Sequence, residues 1–359
     1  MGVVTSKAKG RRSVPSVRRN MVKYIAKRLL YSLLILILVS MLIYGLVRCI
    51  PNDYIDNKML PQLNQGTVKQ EDIDNMKKLY GLDDNSFKGI AKGYLKWLGV
   101  IPNTEGGECN GVLQGNLGDS FLYNKPVAQQ MGESMWISFA ISIIAYILVY
   151  VISIPLGIQS AVHQYGPLDY SVTAFTMIGI SLPSFFLATI FIKFFAVDLG
   201  WFPQLGLESG GLEGFPKFLD QVYHCILPMI TLIVLSVGGN MRHTRTNTLE
   251  VLNADYVRTA RAKGLSENSV IYKHVFRNTM IPMVTMMAGV LPSLFGGAMI
   301  LEQVFGLPGI GQLAYKALTV GDIPFIMGYE MFLAILAVIG TLLSDLTYAL
   351  VDPRIKLDR

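Results

Sequence analysis

From Met135 to Val162 the chain runs 28 residues without a charged side chain. A helix of that length measures about 42 Å, longer than the ~30 Å hydrocarbon core of a bilayer. Such a run reads as a tilted transmembrane helix. Five other segments meet the same requirement of about 20 apolar residues, at roughly 29–48, 170–193, 223–241, 279–301 and 326–350. The chain is 52% hydrophobic and 16% charged, whereas soluble domains are about a quarter charged. The sequence therefore predicts an all-α integral membrane protein with six transmembrane helices. Pro155, Pro183, Pro228, Pro282 and Pro292, with Gly179 and Gly289, fall in spans two to five. They predict kinked helices that approach one another closely.

Charge placement sets the topology. Residues 1–28 carry Lys7, Lys9, Arg11, Arg12, Arg18, Arg19, Lys23, Lys27 and Arg28 and no acid, which holds the N-terminus in the cytoplasm. The first apolar run, Leu29 to Val47, is too long for a signal h-region, and Arg48-Cys49-Ile50-Pro51 is no small-residue cleavage site. It stays as a membrane anchor. Segment 242–278 has seven basic residues (Arg242, Arg245, Arg258, Arg261, Lys263, Lys273, Arg277) against three acidic (Glu250, Asp255, Glu267). Every loop large enough to count agrees with both termini inside. The expected organisation is a basic tail at 1–20, disordered against an anionic membrane surface, and a first span at 21–50. An external insertion at 51–133 and a membrane core at 134–351 with an internal loop at 242–278 follow, then a cytoplasmic tail at 352–359. The insertion holds helix candidates at Glu71–Leu79 and Ile90–Leu98 and reads as a docking face for an external receptor. The net charge of +6 serves topology rather than nucleic acid.

The long internal stretch that reads as water-facing helix is 254–282. Tyr256, Ala260 and Ala262-Lys263 set a short helix that stops at Gly264, a residue suited to the left-handed conformation that ends helices. Ser266 then supplies an N-cap for a second helix through Val270, Ile271, His274, Val275 and Asn278, and Pro282 opens the next span. Two helices meeting at a glycine corner make a rigid knob.

Asp255-Tyr-Val-Arg-Thr-Ala-Arg-Ala-Lys-Gly-Leu265, followed by Arg277-Asn278 and Ile281-Pro282, resembles the coupling-helix motif of ATP-binding-cassette importer permeases in the oligopeptide/dipeptide branch. The general pattern is Glu-Ala-Ala, three residues, then Gly. Here those positions read Arg258, Thr259, Ala260 and Gly264, so the third alanine and the glycine match. The longer gap from Gly264 to Pro282 is usual in the peptide branch. Leu113-Gln-Gly-Asn-Leu-Gly-Asp-Ser120 with Lys125-Pro-Val, Tyr80-Gly-Leu-Asp-Asp84 with Tyr94-Leu-Lys-Trp-Leu98, and Phe305-Gly-Leu-Pro-Gly-Ile-Gly311 with Asp322-Ile-Pro324 resemble further elements of that branch, in order. The likeness runs from about residue 22 to the end.

The resemblance implies a type I importer permease, the first (B-type) of two homologous permeases, in a bacterial cytoplasmic membrane. It implies one or two ATPase subunits that hold ATP and magnesium, and an external lipoprotein that delivers di- or oligopeptides. Nickel, glutathione or opine-like cargo remains open within the branch. Asp255, Tyr256, Arg258, Thr259, Ala260, Arg261, Ala262, Lys263, Gly264 and Leu265 would form the ATPase-coupling knob, with Tyr256, Ala260 and Leu265 as its apolar contact.

Catalysis has no visible basis in this chain. It lacks a Gly-x4-Gly-Lys-Ser/Thr loop, a Gly-x-Ser-x-Gly elbow, paired catalytic carboxylates and metal-ligand spacings. Cys49 and Cys109 are spaced to allow an external pair, although free buried thiols are the simpler reading of the three cysteines. Ionisable residues within spans are costly. Lys193 snorkels near a helix end, Glu330 stands early in the sixth span, and Asp345 lies deeper. Asp345 faces the translocation path, pairs with a partner helix or forms a structural ion pair. Met283, Met286 and Met287 offer either flexible path lining or ordinary packing. The rival class is an ion-driven secondary transporter with the ion on Asp345 or Glu330.

Overall fold

The computed structural model describes residues 15–49, 55, 61–79, 83–102, 107–296 and 298–351. Helix α1 (Pro15–Arg48) is followed outside the bundle by α2 (Gln70–Leu79) and α3 (Phe87–Leu98). Helix α4 (Val127–Val162) carries the long uncharged run, and α5 (Pro167–Ser181) and α6 (Ser184–Phe191) come next. Then come α7 (Gly214–Leu252), the short α8 (Asp255–Ala262), α9 (Phe276–Met286), α10 (Val290–Gly296), α11 (Met299–Phe305), α12 (Ile310–Val320) and α13 (Ile323–Val351). Among the described residues five helices are long and apolar enough to cross a membrane, and α5 with the helix after it makes a sixth span bent by 104°. The all-α membrane architecture expected from the sequence is present.

Backbone satisfaction explains the choice of helix, because a bilayer offers no water to unpaired amides. The most extensively packed helix pair is α4 with α7, and Gly157 lets their backbones approach. A Cβ there would sit 2.7 Å from the Thr244 side chain and 2.8 Å from the Met241 carbonyl. On α7, Thr231, Thr244 and Thr248 return their hydroxyls to the carbonyls of Leu227, Asn240 and Thr244. Threonine is thereby buried without an orphan donor.

The spans depart from the expected limits in three places. The third is not one rod, since Leu182 turns extended before Pro183 and the chain changes direction there. Proline offers no amide to the preceding turn and disfavours helix for the residue before it. The fourth reaches well beyond 223–241 at both ends. The fifth is segmented into a π-helical turn at Val270–Val275, α9, a 3-10 turn at Met287–Gly289, α10 and α11. At the N-terminus the helix starts at Pro15, inside the stretch expected to be a disordered tail. Residues 1–14 and the tail 352–359 lie outside the described residues. Cys49 and Cys109 are free and exposed rather than buried, and Cys225 is half-buried.

The segment between α1 and α4 is joined to the bundle by a polar latch. Asp322, fully buried just before α13, accepts hydrogen bonds from Ser120 Oγ (2.5 Å), Leu122 N (3.0 Å) and Phe325 N (3.3 Å). Two motifs 200 residues apart in sequence thus meet at one carboxylate. Tyr123 packs beside them, and burial first, then the Asp322 charge, pushes its phenol up to about 12. It therefore keeps its proton and donates to the Leu313 carbonyl at 3.4 Å. Around this latch Ile55, Ile73, Tyr94, Phe121 and Val127 join Phe325, Met327 and Tyr329 in one apolar core. The insertion is therefore part of the bundle's outer packing.

Asp322→Ala should cost about 2–4 kcal/mol, because buried donors lose their acceptor. Thermal unfolding of the purified protein would check this. Ser120→Ala and Asp322→Ala should be non-additive, with a coupling of about 1 kcal/mol.

Candidate docking knob and central cavity

The knob begins where α7 ends. Its 39 residues extend about 58 Å, roughly twice the bilayer core, so one end must stand in water. That end is braced. Arg245 donates from Nε to Asp169 Oδ1 at 2.6 Å and from Nη2 to Asp169 Oδ2 at 2.9 Å. The buried carboxylate also accepts from Ser160 Oγ (2.5 Å) and the Tyr165 amide (3.0 Å). One carboxylate thus ties the ends of α4, α5 and α7, with every bond charge-assisted. Sequence reasoning missed this node. Its one signal was an acid in the first turn after Gly166-Pro167.

After α7 the chain turns at Asn253 and Ala254 into α8. Val257 and Ala260, three residues apart, share one face and are buried against Val270 and Val275 with Val251 and Leu252 alongside. Gly264, with φ +77°, ends the helix, and the Leu265 amide reaches the Ala260 carbonyl while the Gly264 amide reaches that of Arg261. This is the paired-bond closure of a helix on a left-handed residue. The structure corrects the expected apolar contact: Ala260 faces inward and belongs to the knob's own core. Val257, not singled out from sequence, is its inner partner.

What remains outward is polar. Asp255, Arg258, Thr259, Ala262 and Lys263 are exposed, and Tyr256 and Leu265 are 45% and 42% exposed. Thr259 returns its hydroxyl to the Asp255 carbonyl at 2.9 Å. Arg261 makes a two-pronged pair with Glu267 across the glycine corner, at 3.2 and 2.5 Å, which raises the guanidinium pKa. Exposed pairs of this kind contribute about 0–1 kcal/mol, so it fixes geometry more than stability. Arg258 only approaches Asp255, at 3.9 Å. Ser266 sits at the N-cap with extended backbone, yet its hydroxyl does not cap.

The broken spans enclose a second feature. The bend at Leu182 and Ser184, Leu235 and Ser236 of α7, Tyr146 of α4 and the α10–α11 junction at Gly296 and Met299 surround a cavity of about 420 Å³. That volume lies in the range of small-molecule sites. None of the methionines proposed from sequence lines it. Met283 is buried where Thr244 Oγ1 donates to its sulfur at 3.8 Å, while Met286 and Met287 are exposed. Asp345 lies in an ion pair with Arg28 of α1 at 2.9 Å. Lys193 pairs with Asp198. Among the described residues no group of three or more His, Cys, Asp or Glu side chains could hold a metal ion.

Residues 153–357 match the model of the "binding-protein-dependent transport system inner membrane component" family, and residues 21–143 match its N-terminal counterpart. The chain is 36% identical over 337 residues to the oligopeptide transport system permease protein AppB of Bacillus subtilis, covering 94% of this chain and all of that one. It is 34% identical to a putative peptide permease protein of Brucella suis, covering 94% and 99%, and 31% identical to a probable peptide ABC transporter permease protein of Sinorhizobium fredii, covering 93% and 99%. In structure it is similar to a chain of the inward-facing MetNI methionine ABC transporter, with a TM-score of 0.50 at 20% identity, over 63% of this chain and 97% of that one. That likeness speaks for the fold.

Asp169→Ala should destabilise the protein by about 3 kcal/mol, because Arg245 would lose its partner in a largely buried site. Hydrogen exchange should then rise in 160–170 and in the end of α7. Unchanged protection in both segments would show that the node does not brace the knob.

Proposed function

The chain belongs to the family of binding-protein-dependent transport system inner membrane components, and from that premise we propose that it conducts peptides through an ATP-driven importer. The family implies partner ATPase and substrate-binding components. We assign a second, homologous permease and an external peptide-binding lipoprotein as the remaining partners, with ATP and magnesium on the ATPase subunits and no catalysis in this chain. Both termini lie in the cytoplasm and the 51–133 insertion lies outside, in a bacterial cytoplasmic membrane. The curated relatives named as peptide permeases support the cargo class.

The observation that carries the mechanism is the knob. A polar, outward face built from Asp255, Tyr256, Arg258, Thr259, Ala262, Lys263 and Leu265 is mounted on its own apolar core at Val257 and Ala260. Behind it the Asp169–Arg245 pair fixes the knob to three membrane helices. Force applied to Arg258 and Tyr256 by a closing ATPase would pass through that brace to α4, α5 and α7, whose other residues wall the cavity at Tyr146, Leu182 and Ser236. Closure of the ATPase pair would thus switch the cavity between the two sides. Cargo moves through the cavity beside Ser184 and Ser236, and Met286 and Met287 lie nearby in sequence, beyond its walls. The rival placing an ion on Asp345 has Arg28 against it, because that carboxylate is already neutralised within the chain.

Arg258→Glu should lower ATP-driven peptide uptake in membrane vesicles by about tenfold or more, since like charges across an interface cost several kcal/mol. Membrane insertion should be unchanged. Wild-type uptake in that variant, or wild-type uptake that persists without ATP, would contradict the proposal.

A further inference from the structure

Helix α3 lies antiparallel against the outer third of α1. At one end Arg48 Nη2 donates to the Asp84 carbonyl (3.0 Å) and to Asn85 Oδ1 (2.8 Å). At the other the hydroxyls of Ser40 and Tyr94 meet at 2.8 Å. The eight residues between Ser40 and Arg48 span about 12 Å, so α3 descends from the membrane edge into one leaflet. Ser86 Oγ accepts from the Gly89 amide at the start of α3, and Gly99 closes its end in the left-handed region. The helix is therefore firmly formed where it meets α1.

The two helices touch through the buried rings of Tyr44 and Tyr94, with centroids 5.8 Å apart, but leave a gap alongside that contact. Between them runs a groove of about 570 Å³, with Leu38, Leu42 and Gly45 on one wall and Phe87, Ile90 and Leu95 on the other. Leu42 is 61% and Phe87 80% exposed, and the row Leu38, Leu42, Leu46 continues the apolar surface down α1. Beside the Phe87–Ala91–Leu95 row stands a basic row, each lysine one residue further along the helix. Lys88 and Lys92 are exposed, and Lys96 donates to the Lys78 carbonyl. An apolar slot beside a membrane-spanning helix, with two exposed cations one residue along from its Phe87 and Ala91 walls, matches the two halves of an anionic lipid.

We propose that the α1–α3 groove binds one acyl chain of an anionic glycerophospholipid whose phosphate is held by Lys88 and Lys92. The inference rests on the chain crossing a membrane; on the orientation proposed above, the leaflet is the outer one. Bound lipid fills the gap between the insertion and the bundle and holds α3 against α1.

The test uses the assembled transporter in lipid nanodiscs, labelled with phosphatidylglycerol or phosphatidylcholine carrying a photoreactive group on one acyl chain. Labels should map to 38–45 and 87–95, with phosphatidylglycerol favoured. Gly45→Phe grows into open space, since nothing lies within 4 Å of a Cβ there, and should abolish the labelling. Lys88→Gln and Lys92→Gln, both on exposed positions, should each reduce the preference for phosphatidylglycerol roughly fivefold. Equal labelling by the two lipids, labelling unaffected by Gly45→Phe, or a photoreactive residue at Leu42 that captures the second permease would each overturn the proposal. Peptide uptake measured on the same samples separates failure of this site from failure of the transport reading.

Discussion

The molecule depends on a helix too long for its membrane. A bilayer core satisfies about 20 helical residues, and α7 has nearly twice that number. Its apolar middle, from Leu227 to Met241, packs into the bundle, and its basic end is forced into water, carrying α8 with it. A free overhang of that length would flex. The Asp169–Arg245–Ser160 node prevents this by joining three helices at one buried carboxylate. Burial of such a pair is costly unless its geometry is complete, and here both carboxylate oxygens are engaged. The knob is therefore an extension of the membrane bundle.

Breaks complement that rigidity. Pro183 ends one helix and redirects the next by 104°, and the fifth span passes through π, α and 3-10 segments before reaching α11. Irregular backbone inside a membrane is tolerated where it lines a cavity or is buried in protein, and the bend and the α10–α11 junction do border one. Elsewhere the buried Asp322 carboxylate holds the segment between α1 and α4 onto the start of α13.

Much of this was legible in the sequence. Hydropathy located the six spans, counting the bent pair as one, the helix stop at Gly264 fell where its turn chemistry put it, and the helices expected near 71–79 and 90–98 formed at Gln70–Leu79 and Phe87–Leu98. Bent and segmented spans were less legible, since Pro155, Pro228 and Pro282 sit within continuous helices while Pro183 breaks one. The difference lies in tertiary packing, which the sequence pattern does not carry. Asp169 and Glu302 escaped notice, and Arg245 was counted only as loop charge, for a related reason. Glu302, fully buried, accepts the Gln312 amide at the start of α12, a partner ten residues away that no helical periodicity brings to it. Ala260 was assigned outward because a short helix of eight residues gives too few turns to fix its face. Asp345 was one of three open readings until Arg28 was placed beside it.

In the proposed mechanism force enters through the outward face of α8 while Val257 and Ala260 keep the knob whole. Cysteine cross-linking in membranes holding the complete transporter tests it most directly, with single cysteines at Tyr256, Arg258 and Ala260 in turn and the native cysteines replaced. The account predicts cross-links from positions 256 and 258 to the ATPase subunits, changing in yield when ATP is added, and almost none from the buried position 260. Equal cross-linking from all three, or capture of an external protein at 256 and 258, would contradict it.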